Sequence, residues 1–170
     1  MKTNKISIIW ISATGKTCLS HSLSEIYKLP IVHCDEFWWW EDWSENSEEF
    51  VIKKIEKELQ ENKWIIEGYI NPLTKERLQE SDIVYYLDYS WFTALFWYLK
   101  RYWKYRKSPR PEMKKWSEEK LDFAFMKTIL IRAERNEIEH EVQGFDSKIL
   151  RFCSHKELDS HIYELRKSIT

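Results

Sequence analysis

Lys16 stands between Gly15 and Thr17, at the end of a stretch reading Trp10-Ile11-Ser12-Ala13-Thr14-Gly15-Lys16-Thr17. A lysine ammonium followed by a hydroxyl, just after a short loop, is what phosphate chemistry asks for. Successive backbone N–H groups can cradle phosphate oxygens, the lysine can neutralise the outer phosphates, and the hydroxyl can ligate Mg²⁺. The full pattern is Gly, four residues, then Gly-Lys-Ser/Thr. Its second half is intact here, whereas its first position is Trp10 and another common glycine position is Ala13. Ser12, Ala13, Thr14, Gly15, Lys16, Thr17 and Cys18 form the candidate phosphate-binding set. A chance Gly-Lys-Thr in an ordinary turn is the bland alternative.

Carboxylates recur at comparable places. Asp35 follows the apolar run Ile31 to Cys34, and could bind Mg²⁺ through water or orient an acceptor hydroxyl. It could equally be a loop or capping carboxylate. His33, two residues earlier, is a candidate substrate contact or a structural histidine. Glu67 ends the run from Trp64, and Asp88 ends the run from Ile83, where it is expected to cap the next helix. Phe37 to Trp40 and Trp43 form an aromatic cluster. Trp39 and Trp43 could stack a planar acceptor, or simply pack.

The elements that must position these groups alternate. Ile6 to Ile11 reads as a buried strand, and Leu19, Leu23, Ile26 and Tyr27 follow with helical spacing. Ile31 to Cys34, Trp64 to Glu67, Ile83 to Leu87 and Lys148 to Phe152 read as four more strands. Between strands two and three, an acidic loop from Asp35 to Glu45 leads to a helix opened by an Asn46–Glu49 capping box. Pro72 opens a short helix to about Glu80. Helices are expected from about Trp91 to Lys107 and about Glu118 to Glu141, with Pro109 and Pro111 between them. A second capping box, Ser154–Glu157, starts the last helix. Such alternation predicts a parallel sheet with helices on both faces, and ligands beyond the carboxyl ends of the strands. Lys16, Asp35, Glu67 and Asp88 all fall there.

With these residues in place, the chain resembles the small P-loop kinase-like proteins of the FlaR-related DNA topology modulation group, which are similar to adenylate kinases in architecture. The resemblance rests on Ile31-Val32-His33-Cys34-Asp35 with Trp39 and Trp43, on Trp64-Ile65-Ile66-Glu67-Gly68, and on Arg77. Ile83 through Asp88, Lys100-Arg101, Tyr105-Arg106, Arg110-Pro111 and Lys120-Leu121-Asp122 extend it over nearly the whole chain. It departs at Glu67, where Asp is usual, and at Tyr69, where Asn is frequent.

The resemblance implies a five-stranded adenylate-kinase-like P-loop fold of strand order 2-3-1-4-5. It implies one domain over 1–170, with a lid at about 107–118. Thr17, Asp35 and Glu67 would hold Mg²⁺, Glu67 from behind the direct ligands. Arg101, Arg106 and Arg110 would close over the triphosphate, unless they are only a solvated basic helix end. His33, Asp35, Trp39, Trp43 and Arg77 would face the acceptor, and Lys16, Asp35 and the three arginines would carry catalysis. The expected activity is ATP binding and phosphoryl transfer to an unidentified small acceptor. The alternative is a degenerate loop serving a non-catalytic binding or regulatory module.

Composition bounds the remainder. The chain has 170 residues, a formal net charge of −1, 10 Trp and 3 Gly. That balance gives no global pull toward nucleic acid or membrane, and no DNA-binding motif accompanies the basic stretch Lys100 to Lys120. Three cysteines without metal or redox spacing suit a reducing cytoplasm. A homodimer stays open.

Overall fold

Trp10, Leu87 and Phe152 stand side by side on three neighbouring parallel strands, and that register sets the frame of the molecule. The computed structural model describes residues 3–10, 16–38, 44–68, 71–106, 121–131 and 133–169; of Lys16 and Thr17 it describes the helical backbone alone. The strands are β1 (Lys5–Trp10), β2 (Ile31–His33), β3 (Trp64–Glu67), β4 (Ile83–Leu87) and β5 (Ile149–Phe152). They form one parallel sheet in the order β2-β3-β1-β4-β5. This is the expected order.

Period-two alternation sorts the strand residues onto two covered faces. Ile6, Ile8 and Trp10 of β1, Ile65 of β3, Tyr85 and Leu87 of β4 and Phe152 of β5 pack with Leu19 and Leu23 of α1 (Lys16–Tyr27). Leu158, Ile162 and Leu165 of α8 (His155–Ile169) complete that side. On the opposite face, Ile9, Val84 and Tyr86 meet α4 (Thr74–Glu80) and α7 (Ala133–Val142) through Leu78, Ile138 and Val142. Val32, Trp64 and Ile66 meet Val51, Ile55 and Leu59 of α3 (Glu48–Leu59). Away from the sheet, α5 (Trp91–Tyr105) and α6 (Phe123–Ile131) share a small cluster of Ala94, Tyr98 and Ile129.

Several local expectations are corrected. The stretch expected as loop from Asp35 opens with a helical turn, α2 (Asp35–Trp38). Asn46 closes that turn: its Nδ2 donates to Phe37 O at 2.9 Å and its N–H to Trp38 O at 2.8 Å. Asn46 is therefore not the cap of α3. Ser47 is, accepting from Phe50 N–H at 3.3 Å. The helix expected from Glu118 begins at Phe123 among the described residues, because Asp122 accepts from Ala124 N–H at 2.8 Å. The N-cap of α5 is Ser90, which accepts from Thr93 N–H at 3.3 Å, and not Asp88. The Ser154–Glu157 box holds in modified form, since the Glu157 carboxylate takes Cys153 N–H at 2.9 Å. The expected lid at about 107–118 lies outside the described residues.

Candidate phosphate-binding and acceptor site

The central strand β1 ends at Trp10, and α1 begins at Lys16. A helix N-terminus therefore opens beyond the carboxyl edge of the sheet's middle strand, where exposed N–H groups and the helix dipole favour an anion. Ser12, Ala13, Thr14 and Gly15 lie outside the described residues, as do the side chains of Lys16 and Thr17. Cys18, in the first turn of α1, is exposed.

Trp10 shows how an indole is accommodated at the first loop position. It is buried with Leu19 and Leu23 of α1, Leu87 and Tyr89. Its side chain points under α1 and α8, away from the space above the strand ends. The residue spends its bulk on the core.

The acids sit one strand over. Alternation puts Glu67 on the same face as Ile65, the face α1 covers, and β3 register brings it opposite both Ile8 of β1 and His33 of β2. Glu67 is almost fully buried. Its Oε1 meets His33 Nδ1. Its Oε2 is buried without a hydrogen-bond partner. A buried carboxylate oxygen left with open acceptor capacity is an expensive arrangement unless something fills it. On α1, the His21 ring lies 6.4 Å from that of His33. Asp35 opens α2 just past β2 and is half-buried. It lies off the strand, in the first turn beyond it.

Gly68 follows at the point where β2 and β3 come closest. A Cβ there would lie 2.6 Å from Cys34 Cβ. Cys34 N–H donates to Glu67 O at 2.9 Å, so the approach is fixed by the backbone and only glycine fits.

Arg77 on α4 is fully buried, with Nη1 reaching Gly68 O at 3.5 Å and with Nε and Nη2 lacking hydrogen-bond partners. Burial pulls its pKa down, and the neighbouring Cys34 and Glu67 oppose that pull. Its guanidinium thus reaches the turn at Gly68. Arg101 lies over the Tyr98 ring at 5.4 Å, and Arg106 over the Trp103 ring at 4.2 Å. Both thus rest on rings of their own helix. Arg110, Trp39 and Trp43 lie outside the described residues.

One ionic group at the same edge was not anticipated. Arg135 of α7 grips Asp88 with two bonds, Nε to Oδ1 and Nη2 to Oδ2, each 2.9 Å. Arg151 of β5 reaches Asp88 Oδ2 at 3.4 Å and Glu139 Oε2 at 2.8 Å, and Tyr86 OH donates to Glu139 Oε1 at 3.3 Å. The bond to Asp88 is the main reason the Arg135 pKa is raised. Two cations balance two carboxylates, so the group ties α7 to β4 and β5 without net charge. The spacing Arg135–Glu139 on one helix was visible in the sequence, but nothing there says that the helix faces Asp88.

Parallel order β2-β3-β1-β4-β5, a helix opening at Lys16, and acids beyond β2 and β3 together specify an architecture. The chain has the fold of the small P-loop kinases. Its solved structural neighbours include a gluconokinase from Sinorhizobium meliloti, with TM-score 0.63, 10% identity and coverage of 99% of this chain and 92% of that one. A shikimate kinase from Bacteroides thetaiotaomicron gives TM-score 0.62 and 12% identity, covering 98% of each chain. A candidate kinase from Chloroflexus aurantiacus gives TM-score 0.57 and 18% identity over 99% of this chain and 100% of that one. No protein-family model matches the chain, and no curated protein does. Among the described residues no helix is long and apolar enough to cross a membrane.

Proposed function

We propose that the chain binds ATP with Mg²⁺ and transfers the γ-phosphoryl group to a small hydroxyl-bearing acceptor. One observation carries this reading: α1 begins at Lys16 directly beyond the central strand, with the buried acid Glu67 on the adjoining strand. Lys16 and the backbone of residues 12–18 would hold the phosphates. The donor set suits magnesium, since Glu67 Oε2 is a buried acceptor with no protein partner. Thr17, Asp35 and Glu67 would hold the ion, which when bound neutralises charge on the phosphate oxygens. Asp35 takes the proton of the acceptor hydroxyl. That oxygen then bonds to the γ phosphorus as the bond to the β–γ bridging oxygen breaks, leaving ADP. His33 keeps the Glu67 carboxylate oriented. Residues 107–118, with Arg110, close over the phosphates. The narrower likeness to the FlaR-related group rests on the sequence fragments quoted above.

A second reading has its own support. Arg77 is enclosed by protein, and Arg101 and Arg106 rest on rings of α5. Described arginines engaged with protein in this way suit a nucleotide-binding module without transfer. The two readings separate in an assay of ADP release across polyols, sugar acids and nucleosides, run with wild type and Asp35→Asn. Transfer predicts acceptor-dependent ADP release that Asp35→Asn lowers about a hundredfold or more in kcat, with ATP affinity nearly unchanged. ATP binding without ADP release for any acceptor would favour the binding module, and acceptor-dependent turnover indifferent to Asp35→Asn would remove Asp35 from its role.

A further inference from the structure

A net charge of −1 hides a strong local asymmetry. From Tyr89 to Pro111 there is no acidic residue, while Lys100, Arg101, Lys104, Arg106, Lys107 and Arg110 are all basic. The described part of this stretch is α5, and its outward face is apolar. Phe92 is 66%, Phe96 61% and Trp103 62% exposed. With half-buried Leu99 they stand four, three and four residues apart. At 3.6 residues per turn those four side chains fall within an arc of about 60°. The opposite side of α5, with Ala94 and Tyr98, is the one that packs on α6. Leu99 packs against that cluster, while Phe92, Phe96 and Trp103 stand outside it. Neighbouring α6 exposes Phe123, Leu130 and Ile131 as well. Exposed apolar residues gathered on one helix mark an interaction surface.

Charge placement selects the partner. On the same helical projection Lys100 lies about 40° beyond one edge of the stripe and Arg106 about 20° beyond the other. Arg106 rests over the Trp103 ring at 4.2 Å, so its stem follows the stripe while its charge stays at the edge, and Lys100, exposed, rests over the half-buried Trp97 ring at 4.4 Å beside it. An apolar centre with cationic margins is the arrangement of a helix lying in a lipid interface: aromatic side chains enter the acyl boundary and lysines and arginines reach anionic headgroups. A nucleic-acid strand would ask for cations along the centre of the track, to follow its phosphates, and for rings laid flat to stack bases. A second copy would bring an equally cationic helix with no acid to meet it.

We infer that the outer face of α5 docks this protein peripherally on an anionic membrane surface. The inference is independent of phosphoryl transfer. It also revises the expectation, drawn from net charge, that no membrane is a partner, because the attracting charge is confined to one helix. The test is co-sedimentation of the full chain with vesicles of phosphatidylcholine alone and of phosphatidylcholine mixed equally with phosphatidylglycerol. Binding should require phosphatidylglycerol and weaken as salt rises. Phe96→Ser and Trp103→Ser, both at exposed positions, should each weaken it about tenfold, and Lys100→Glu should weaken it while leaving the thermal midpoint unchanged. Failure to bind the mixed vesicles, equal binding to both vesicles, or indifference to Phe96→Ser and Trp103→Ser would overturn the inference. So would a dimer in sedimentation velocity, or a complex with single-stranded oligonucleotide, that the same substitutions abolish, since each would assign the stripe to a different occupant.

Discussion

Trp10 decides how the phosphate loop is to be tested. Replacing it with glycine, to restore the usual motif, would empty a site that Leu19, Leu23, Leu87 and Tyr89 fill around the indole. Truncating a buried Trp costs about 3–5 kcal/mol. Trp10→Ala is therefore expected to lower the denaturation midpoint by about that much stability, with no gain in ATP affinity in the fraction that stays folded. An unchanged midpoint in urea would show that the indole is dispensable to the core. Ala13→Gly is the cleaner way to restore loop glycine. At this scale the sequence was legible for acids and less so for cations. A carboxylate after a strand must lie at the carboxyl edge, so Glu67 and Asp35 could be placed from the strand pattern. Where a long arginine ends depends on which ring or carboxylate lies within reach, and so Arg77 and Arg135 went to partners that no spacing announced, while Arg106 lies over Trp103, three residues back on its own helix.

Among the elements, α8 carries a titration that can be read in stability. His161 sits half-buried against β4 and β5, its Nε2 3.2 Å from Tyr85 OH and its ring 5.2 Å from that of Phe152. Burial lowers its pKa below the usual 6.5, while the Tyr85 hydroxyl beside it is pushed up and stays uncharged. Near and below pH 6.5 the unfolded chain thus takes up a proton that the folded chain resists. Stability is full above that pH, falls as pH drops through the window down to the folded pKa, and then levels. Melting wild type and His161→Gln from about pH 7.5 to about pH 5 should show a shallower loss in the variant. Parallel losses would place the titration elsewhere. Element boundaries followed the same logic of local bonding. Strand ends were legible because apolar runs stop where the sheet stops. The start of α3 was not, because Ser47 and Asn46 are both good caps and only the fold of α2 onto Asn46 decides between them.

At the scale of the whole molecule, alternation of strand and helix gave the parallel sheet, and its order came from right-handed crossovers taken together with the kinase resemblance. What composition concealed was the distribution of charge and aromatic surface: a nearly neutral chain places Lys100, Arg101, Lys104 and Arg106 with the exposed Phe92, Phe96 and Trp103 on one helix and its C-cap. The central claim is that the turn between β1 and α1 still binds triphosphate although its first glycine is Trp10. Isothermal calorimetry of the full chain with ATP and Mg²⁺ tests it most directly, run beside Lys16→Ala with both melting curves recorded. The account predicts saturable binding by wild type and a loss of about tenfold or more in affinity for Lys16→Ala, about 1.4 kcal/mol, with the melting midpoint unchanged. No binding by wild type, or equal affinity in the two proteins, would contradict it.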